Sequence, residues 1–418
     1  MSNFKNMKYG MFIHYTASAA RKPDGSIITD ANESAECFNV ESFANDLASF
    51  GVEYIIFTIW HYNMVCFYPS KLMEKWLQGH TVERDLAREI ISALKSKGIG
   101  TIFYTHPRDG HDFSEADSIA TGWGSDRKEY KPHPNPSTFD FVKWNDFLND
   151  IYGELVDRYG SDLLGIYLDE GSEQGDSEWV VDYPRLRDTI KSRNPKLYIL
   201  QNYFGNIYTC DMGDKEYCHS EEFAFNIDEN WPCHAMPVAP VFTKHWSAYK
   251  RQDYNSVYFS PESMFRYTVL QAGANTDGGG VQWATGPFAG GGWDTGVVET
   301  MQALNNYIFP ISMSIKQTYP STSYITSPDS TIVCLQWGVA TKSIDEKYEY
   351  IHVLNKPFSD TLILPAPADG KLFATAILLS NGNEVELVQT ENSVSLKLLG
   401  NDKWDSYDTA IQLNVAKA

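Results

Sequence analysis

The chain has 418 residues, of which 43% are hydrophobic and 14% aromatic, and a formal net charge of −20. That composition permits a large core and excludes global disorder. The excess of acid argues against nucleic acid as a partner and suits a neutral or cationic substrate.

The first strand reads from "YGMFIHY" and ends at His14 and Tyr15. "VESFANDLASFG" follows as a helix, with Phe43, Leu47 and Phe50 on one face and Gly51 as its stop. "VEYIIFTIWH" is a strand ending at Trp60 and His61, and "VERDLAREIISALKSKG" is a helix with acids first and Lys95 and Lys97 last. "GTIFYTH" ends at His106; the long helix of "TFDFVKWNDFLNDIYGELVDRYG" leads into "LGIYLDEG", whose apolar run stops on Asp169. "RLRDTIKSRN" is helical, and "KLYILQN" is a strand ending at Gln201 and Asn202. Residues 203–259 are harder to read and are expected to hold two strands on long loops, with Glu222 closing one of them. "SPESMFRYTVLQAG" is a helix, "GGVQWATG" the eighth strand and "VVETMQALNNYI" the closing helix.

Near-continuous apolar strands are buried on both faces, as in a parallel sheet. Five successive βα units without a glycine-rich phosphate loop favour a (β/α)8 barrel, expected over residues 1–317. From about Thr318 short strands take over: "TIVCLQWG", "YEYIHVLN", "DTLILPAP", "LFATAILLS", "EVELVQ", "SVSLKLL" and "TAIQLNV". They predict an all-β sandwich over residues 318–418.

Active sites of such barrels lie at the C-terminal strand ends. Those ends here carry His14, Trp60, His61, His106, Asp169, Glu170, Gln201, Asn202 and Trp283. Carboxylates, imidazoles and indoles around one cleft suit glycoside hydrolysis. Trp123 and Trp293 sit in glycine-rich loops, where they either platform a sugar ring or pack under their own loops. The six cysteines, Cys37, Cys66, Cys210, Cys218, Cys233 and Cys334, are scattered and do not look like a disulfide framework. Cys210, Cys218, His219, Cys233 and His234 lack a CxxC pair, so thiols in and around a core are preferred to zinc, and neither metal nor cofactor is expected. No segment reaches the length of a membrane span. The N-terminus has no signal-peptide core, so the expected location is the cytoplasm, or outside it if an export signal was removed.

Several motifs resemble the α-L-fucosidases. "KYGMFIHY", from Lys8, is similar to that family's KFGIFIHWG; "TIWHYNMVCFYPSK", from Thr58, aligns without a gap to TxKHHDGFCLWPSK. "ERDL" at Glu83 sits where the family has its RDL, "GIYLDE" is similar to GIWFDG, and "GGGVQWATGP" from Gly278 resembles GGNLLLNIGP. The resemblance implies a retaining exo-glycosidase acting on a terminal fucose or similar sugar, with Asp169 as nucleophile and His14 and His61 as sugar ligands. Tyr62 stands where the family has its second histidine, Asn63–Met64 replace Asp-Gly, and Tyr15 replaces a Trp. The family's acid/base Glu follows a Trp; here Pro232 follows Trp231, which leaves Glu229 or Glu222 for that task. The candidate sugar contacts are His14, Trp60, His61, Tyr62, His106, Trp231 and Trp283. The Pro232 and Met64 departures motivate an alternative, a sugar-binding barrel without catalysis; a metal-dependent hydrolase built on His14, His61 and Asp169 is a third reading.

Overall fold

The computed structural model describes residues 3–124, 134–169, 180–202, 217–222 (backbone only), 235–326 and 337–416. Eight strands close a barrel: β1 (Tyr9–Ile13), β2 (Tyr54–Thr58), β3 (Gly100–Thr105), β4 (Gly165–Leu168), β5 (Tyr198–Asn202), β6 (Tyr217–Glu222), β7 (Val238–Pro240) and β8 (Val281–Thr285). Every neighbouring pair is parallel and sequential, and β8 closes on β1 with Met11 opposite Trp283.

The two-residue period of a strand sorts each apolar run into two cores. Phe12, Tyr54, Ile56, Ile102, Tyr104, Tyr167, Leu200 and Ala284 fill the barrel interior. The alternate residues Met11, Ile13, Ile55, Phe57, Phe103, Ile166 and Leu168 belong to the outer core with the helices. The interior is tight: a Cβ on Gly10 would lie 2.9 Å from the Tyr54 ring.

The helices begin where the sequence offers a capping side chain. Val40–Phe50 starts on the Asn39 side chain and stops at Gly51 with φ 71°. Leu86–Ser96 is capped by Asp85, whose Oδ1 also accepts the Tyr159 hydroxyl at 2.7 Å from the helix Phe141–Tyr159. The acids expected inside the start of this helix are thus its cap and lead-in. No described helix is long and apolar enough to cross a membrane.

The C-terminal residues form one eight-stranded antiparallel sheet, ordered Thr318–Pro320, Gly338–Ser343, Tyr348–Val353, Thr409–Val415, Phe373–Leu378, Glu384–Gln389, Ser393–Leu398 and Thr361–Pro365. Residues from both ends of that order, Ala340 and Ile351 with Leu362 and Val394, share one core, so the sheet folds over its own apolar face as a sandwich. The strand expected over 331–338 lies almost wholly outside the described residues, and a strand that the sequence did not reveal, Gly338–Ser343, follows it. Its sequence, GVATKS, hid it, because its polar end reads as a turn.

A buried ion pair ties this sheet to the barrel. His352 donates from Nδ1 to Asp408 Oδ2 at 2.7 Å and from Nε2 to the Ser314 carbonyl at 3.1 Å. Two acceptors require both ring nitrogens to be protonated. Burial alone would lower the His352 pKa, but the Asp408 charge and the two hydrogen bonds raise it above the ordinary value. A raised histidine contributes stability that is complete below the unfolded pKa of about 6.5 and is lost as pH rises through the folded value. His352→Gln should therefore cost about 3–5 kcal/mol at pH 6 and progressively less toward alkaline pH. Thermal unfolding of both proteins across that range checks this, and a pH-independent difference contradicts it.

Candidate active site

The opening strand delivers His14 to the barrel mouth. Its backbone N–H donates to the Thr285 carbonyl at 3.1 Å. Glycine is required opposite, because a Cβ on Gly286 would lie 1.9 Å from the His14 carbonyl oxygen. The His14 ring stacks on Phe12 at 5.0 Å and meets Trp246 at 5.1 Å and Tyr104 at 5.3 Å. Burial first, then the neighbouring His61 ring, holds its pKa well below the usual value. His14 is therefore a neutral imidazole whose Nδ1 is buried without a hydrogen-bond partner among the described residues.

His61 follows β2 and lies 6.2 Å from His14, ring to ring. Its Nδ1 is 3.0 Å from Oδ2 of Asp109, a fully buried carboxylate. After His61 the chain turns through positive φ at Asn63 (55°) and Met64 (46°). Met64 occupies the place of the family's glycine and keeps the backbone conformation that glycine adopts readily.

His106 follows β3, is buried, and stacks on His61 at 5.1 Å with 26° between the planes. Its Nδ1 faces the Arg108 N–H at 3.3 Å, and its Nε2 lies 4.0 Å from Asp169 Oδ2. Asp169 itself follows β4, anchored by its N–H to the Thr105 carbonyl at 2.9 Å. Only 8% of it is exposed. Oδ1 accepts the Asn202 amide at 2.6 Å, and Oδ2 accepts the Tyr104 hydroxyl. The stacked rings of Tyr104 and Tyr167, 5.3 Å apart, pack directly beneath.

The structure thus gathers His14, His61, His106 and Asp169 around one mouth, with Tyr62 half exposed on the rim. Two aromatics expected there point elsewhere. Trp283 is one residue out of phase with the inward Gln282 and Ala284. Its indole N–H donates to Thr268 Oγ1 at 3.3 Å on the helix Pro261–Ala274. Trp60 is buried edge-on against Tyr152 at 5.0 Å, on the helix Phe141–Tyr159. Trp123 and Trp293 are buried too. The first packs on Trp144 at 4.7 Å, and the second bonds Asp46 at 2.9 Å, so both pack under their loops. Glu222 ends β6 in register with Pro240, but its side chain, Glu229, Trp231 and the Cys/His group of residues 210–234 lie outside the described residues.

Sequence reasoning missed Tyr104, Trp246 and Asp109, and noted Asn202 without giving it a role. Tyr104 had a usable cue: it has the inward parity of Tyr167, two residues before His106. Trp246 follows a strand that the sequence did not reveal. His61, His106 and Asp109 also bring three donor atoms within 4.8 Å of one another. Each of the two rings already uses Nδ1 in a hydrogen bond, His61 toward Asp109 and His106 from the Arg108 N–H.

The sequence model of the alpha-L-fucosidase family matches residues 29–256. The chain belongs to that family and is a glycosidase. No curated protein sequence matches it. Among solved structures it is similar to an alpha-L-fucosidase from Bacteroides thetaiotaomicron (18% identity, 99% of this chain and 94% of that one, TM-score 0.68). It is also similar to alpha-L-fucosidase isoenzyme 1 from Paenibacillus thiaminolyticus (18%, 99% and 98%, 0.67) and to the Thermotoga maritima alpha-fucosidase (14%, 98% and 96%, 0.57).

The close approach at His14 gives a structural prediction. Gly286→Ala should destabilise the protein by about 2 kcal/mol or more, since backbone must move to admit the methyl group. An unchanged unfolding midpoint contradicts that packing.

Proposed function

We propose that the protein is a retaining, exo-acting α-L-fucosidase, or a close relative cleaving a similar terminal sugar. The observation that carries this reading is the Asp169 carboxylate, held at the strand ends by Tyr104 and Asn202 beneath three imidazoles. Two donors, the Tyr104 hydroxyl on one oxygen and the Asn202 amide on the other, orient the carboxylate for attack.

In the first step an Asp169 oxygen bonds to the anomeric carbon as the glycosidic bond breaks. A general acid protonates the departing oxygen. In the second step water attacks the glycosyl-enzyme, the same group accepts its proton, and the Asp169 carboxylate is released. Glu229, with Glu222 as the fallback, is the proposed acid/base; a retaining enzyme needs it roughly 5 Å from the nucleophile. The unpartnered His14 Nδ1 and the half-exposed His61 are proposed sugar-hydroxyl ligands. Trp246 beside them offers an apolar face to sugar C–H groups.

The relatives support the same chemistry. One structure is a trapped covalent intermediate of the Bacteroides thetaiotaomicron enzyme in complex with 2-fluoro-fucosyl fluoride. Two others are of a bacterial fucosidase with inhibitors, an iminocyclitol and a dihydroxy-methylpyrrolidine triazole.

Asp169→Asn should keep the fold, since the amide is nearly isosteric, and should lower turnover of 4-nitrophenyl α-L-fucoside by about a thousandfold or more. A panel of nitrophenyl glycosides run alongside identifies the sugar. Near-normal activity in this variant contradicts the nucleophile assignment.

Loss of the acid/base has a different signature, because a good leaving group departs without protonation. Glu229→Ala should lose far more activity on a natural fucoside than on a dinitrophenyl fucoside. Azide should restore turnover of the activated substrate, as a nucleophile that needs no base. Equal losses without azide rescue remove Glu229 from the role, and the same test on Glu222→Ala decides the fallback.

A further inference from the structure

The family's paired histidines are reduced here to His61 and Tyr62, and Tyr62 lies half exposed on the rim. The second imidazole beside His61 comes from another strand end, as His106, stacked 5.1 Å away. The hydrogen bonds around these rings give them opposite polarity. His106 Nδ1 accepts the Arg108 backbone N–H at 3.3 Å, so its proton sits on Nε2. His61 Nδ1 faces a carboxylate oxygen at 3.0 Å, which can only accept, so Nδ1 carries a proton and, in the neutral ring, Nε2 carries the lone pair.

That carboxylate is Asp109, in the short turn Asp109–Asp112 that follows β3. It is fully buried, and Oδ1 faces His111 Nε2 at 3.5 Å while Oδ2 faces His61. Burial alone would raise its pKa. The imidazoles of His106, His61 and His111 more than offset that and hold it below the usual carboxylate value, so it is charged at neutral pH.

We propose that Asp109 is a positioning residue. Its carboxylate fixes the Nδ1–H tautomer of His61, so that His61 Nε2 accepts and the adjacent His106 Nε2–H donates. In sugar binding, a role that rests on the reading of the cleft as a fucoside site, such a pair suits neighbouring ring hydroxyls. One hydroxyl donates to His61 while the next accepts from His106. A second carboxylate or a lysine could not supply both polarities side by side without a charge.

The test uses full-length protein labelled with 15N in its histidines. Long-range 1H–15N spectra at neutral pH report each tautomer, with His61→Gln and His106→Gln providing the assignments. The wild type should show Nδ1–H for His61 and Nε2–H for His106. Asp109→Asn should shift His61 away from its Nδ1–H form. It should also raise KM for 4-nitrophenyl α-L-fucoside about tenfold with kcat changed less than about threefold, the pattern expected when uniform substrate binding is lost. An Nε2–H signature on His61 in the wild type overturns the proposal, as does an Asp109→Asn variant with both tautomer and KM unchanged. If that variant fails to fold, the wild-type spectrum alone decides. If the wild type cleaves no fucoside, the sugar reading fails while the tautomers still decide the role of Asp109.

Discussion

A carboxylate placed among aromatic rings at the top of a barrel is costly unless donors meet its oxygens. Asp169 meets that condition with one donor from each neighbouring strand, Tyr104 from β3 and Asn202 from β5. The two bonds fix the carboxylate and pin three consecutive strand ends together. The surrounding histidines are placed relative to this point: His106 directly beside it, His61 stacked on His106, and His14 across the mouth. The barrel's in-out alternation is what allows Tyr104 and Asn202 to reach inward at the same level.

His14 is neutral because it is buried, and the Asp109 carboxylate is buried against His61 and His111 rather than exposed in the mouth. Such a mouth offers directional hydrogen bonds and ring faces, which suits a neutral polyhydroxylated ring better than an ion. In the proposed mechanism the nucleophile is the Asp169 carboxylate itself.

Strands buried on both faces, such as YIIFT and GIYL, were legible because an apolar run of that length followed by a polar stop has few other uses. Asp169, His14, His61 and His106 were legible for the same reason, as the stops themselves. The strand Val238–Pro240 was not, since three residues carry no period. With it went Trp246, which lies on the loop beyond. Side-chain direction was lost as well. Trp283 sits at a strand end as expected, yet strand parity turns it toward the helix layer. Asp109 was invisible because its partners come from another strand end and from a turn, and sequence distance says nothing of that pairing.

The central claim is that Asp169 attacks the sugar. A 2-deoxy-2-fluoro fucosyl fluoride tests it directly, because the fluorine slows both steps while the fluoride leaving group lets the first proceed. Incubation with the full chain, followed by proteolysis and mass spectrometry, should find one fluorofucosyl adduct, on the peptide carrying Asp169. Hydrolysis of fucosides with inversion at the anomeric carbon, or an adduct on any other residue, would contradict the account.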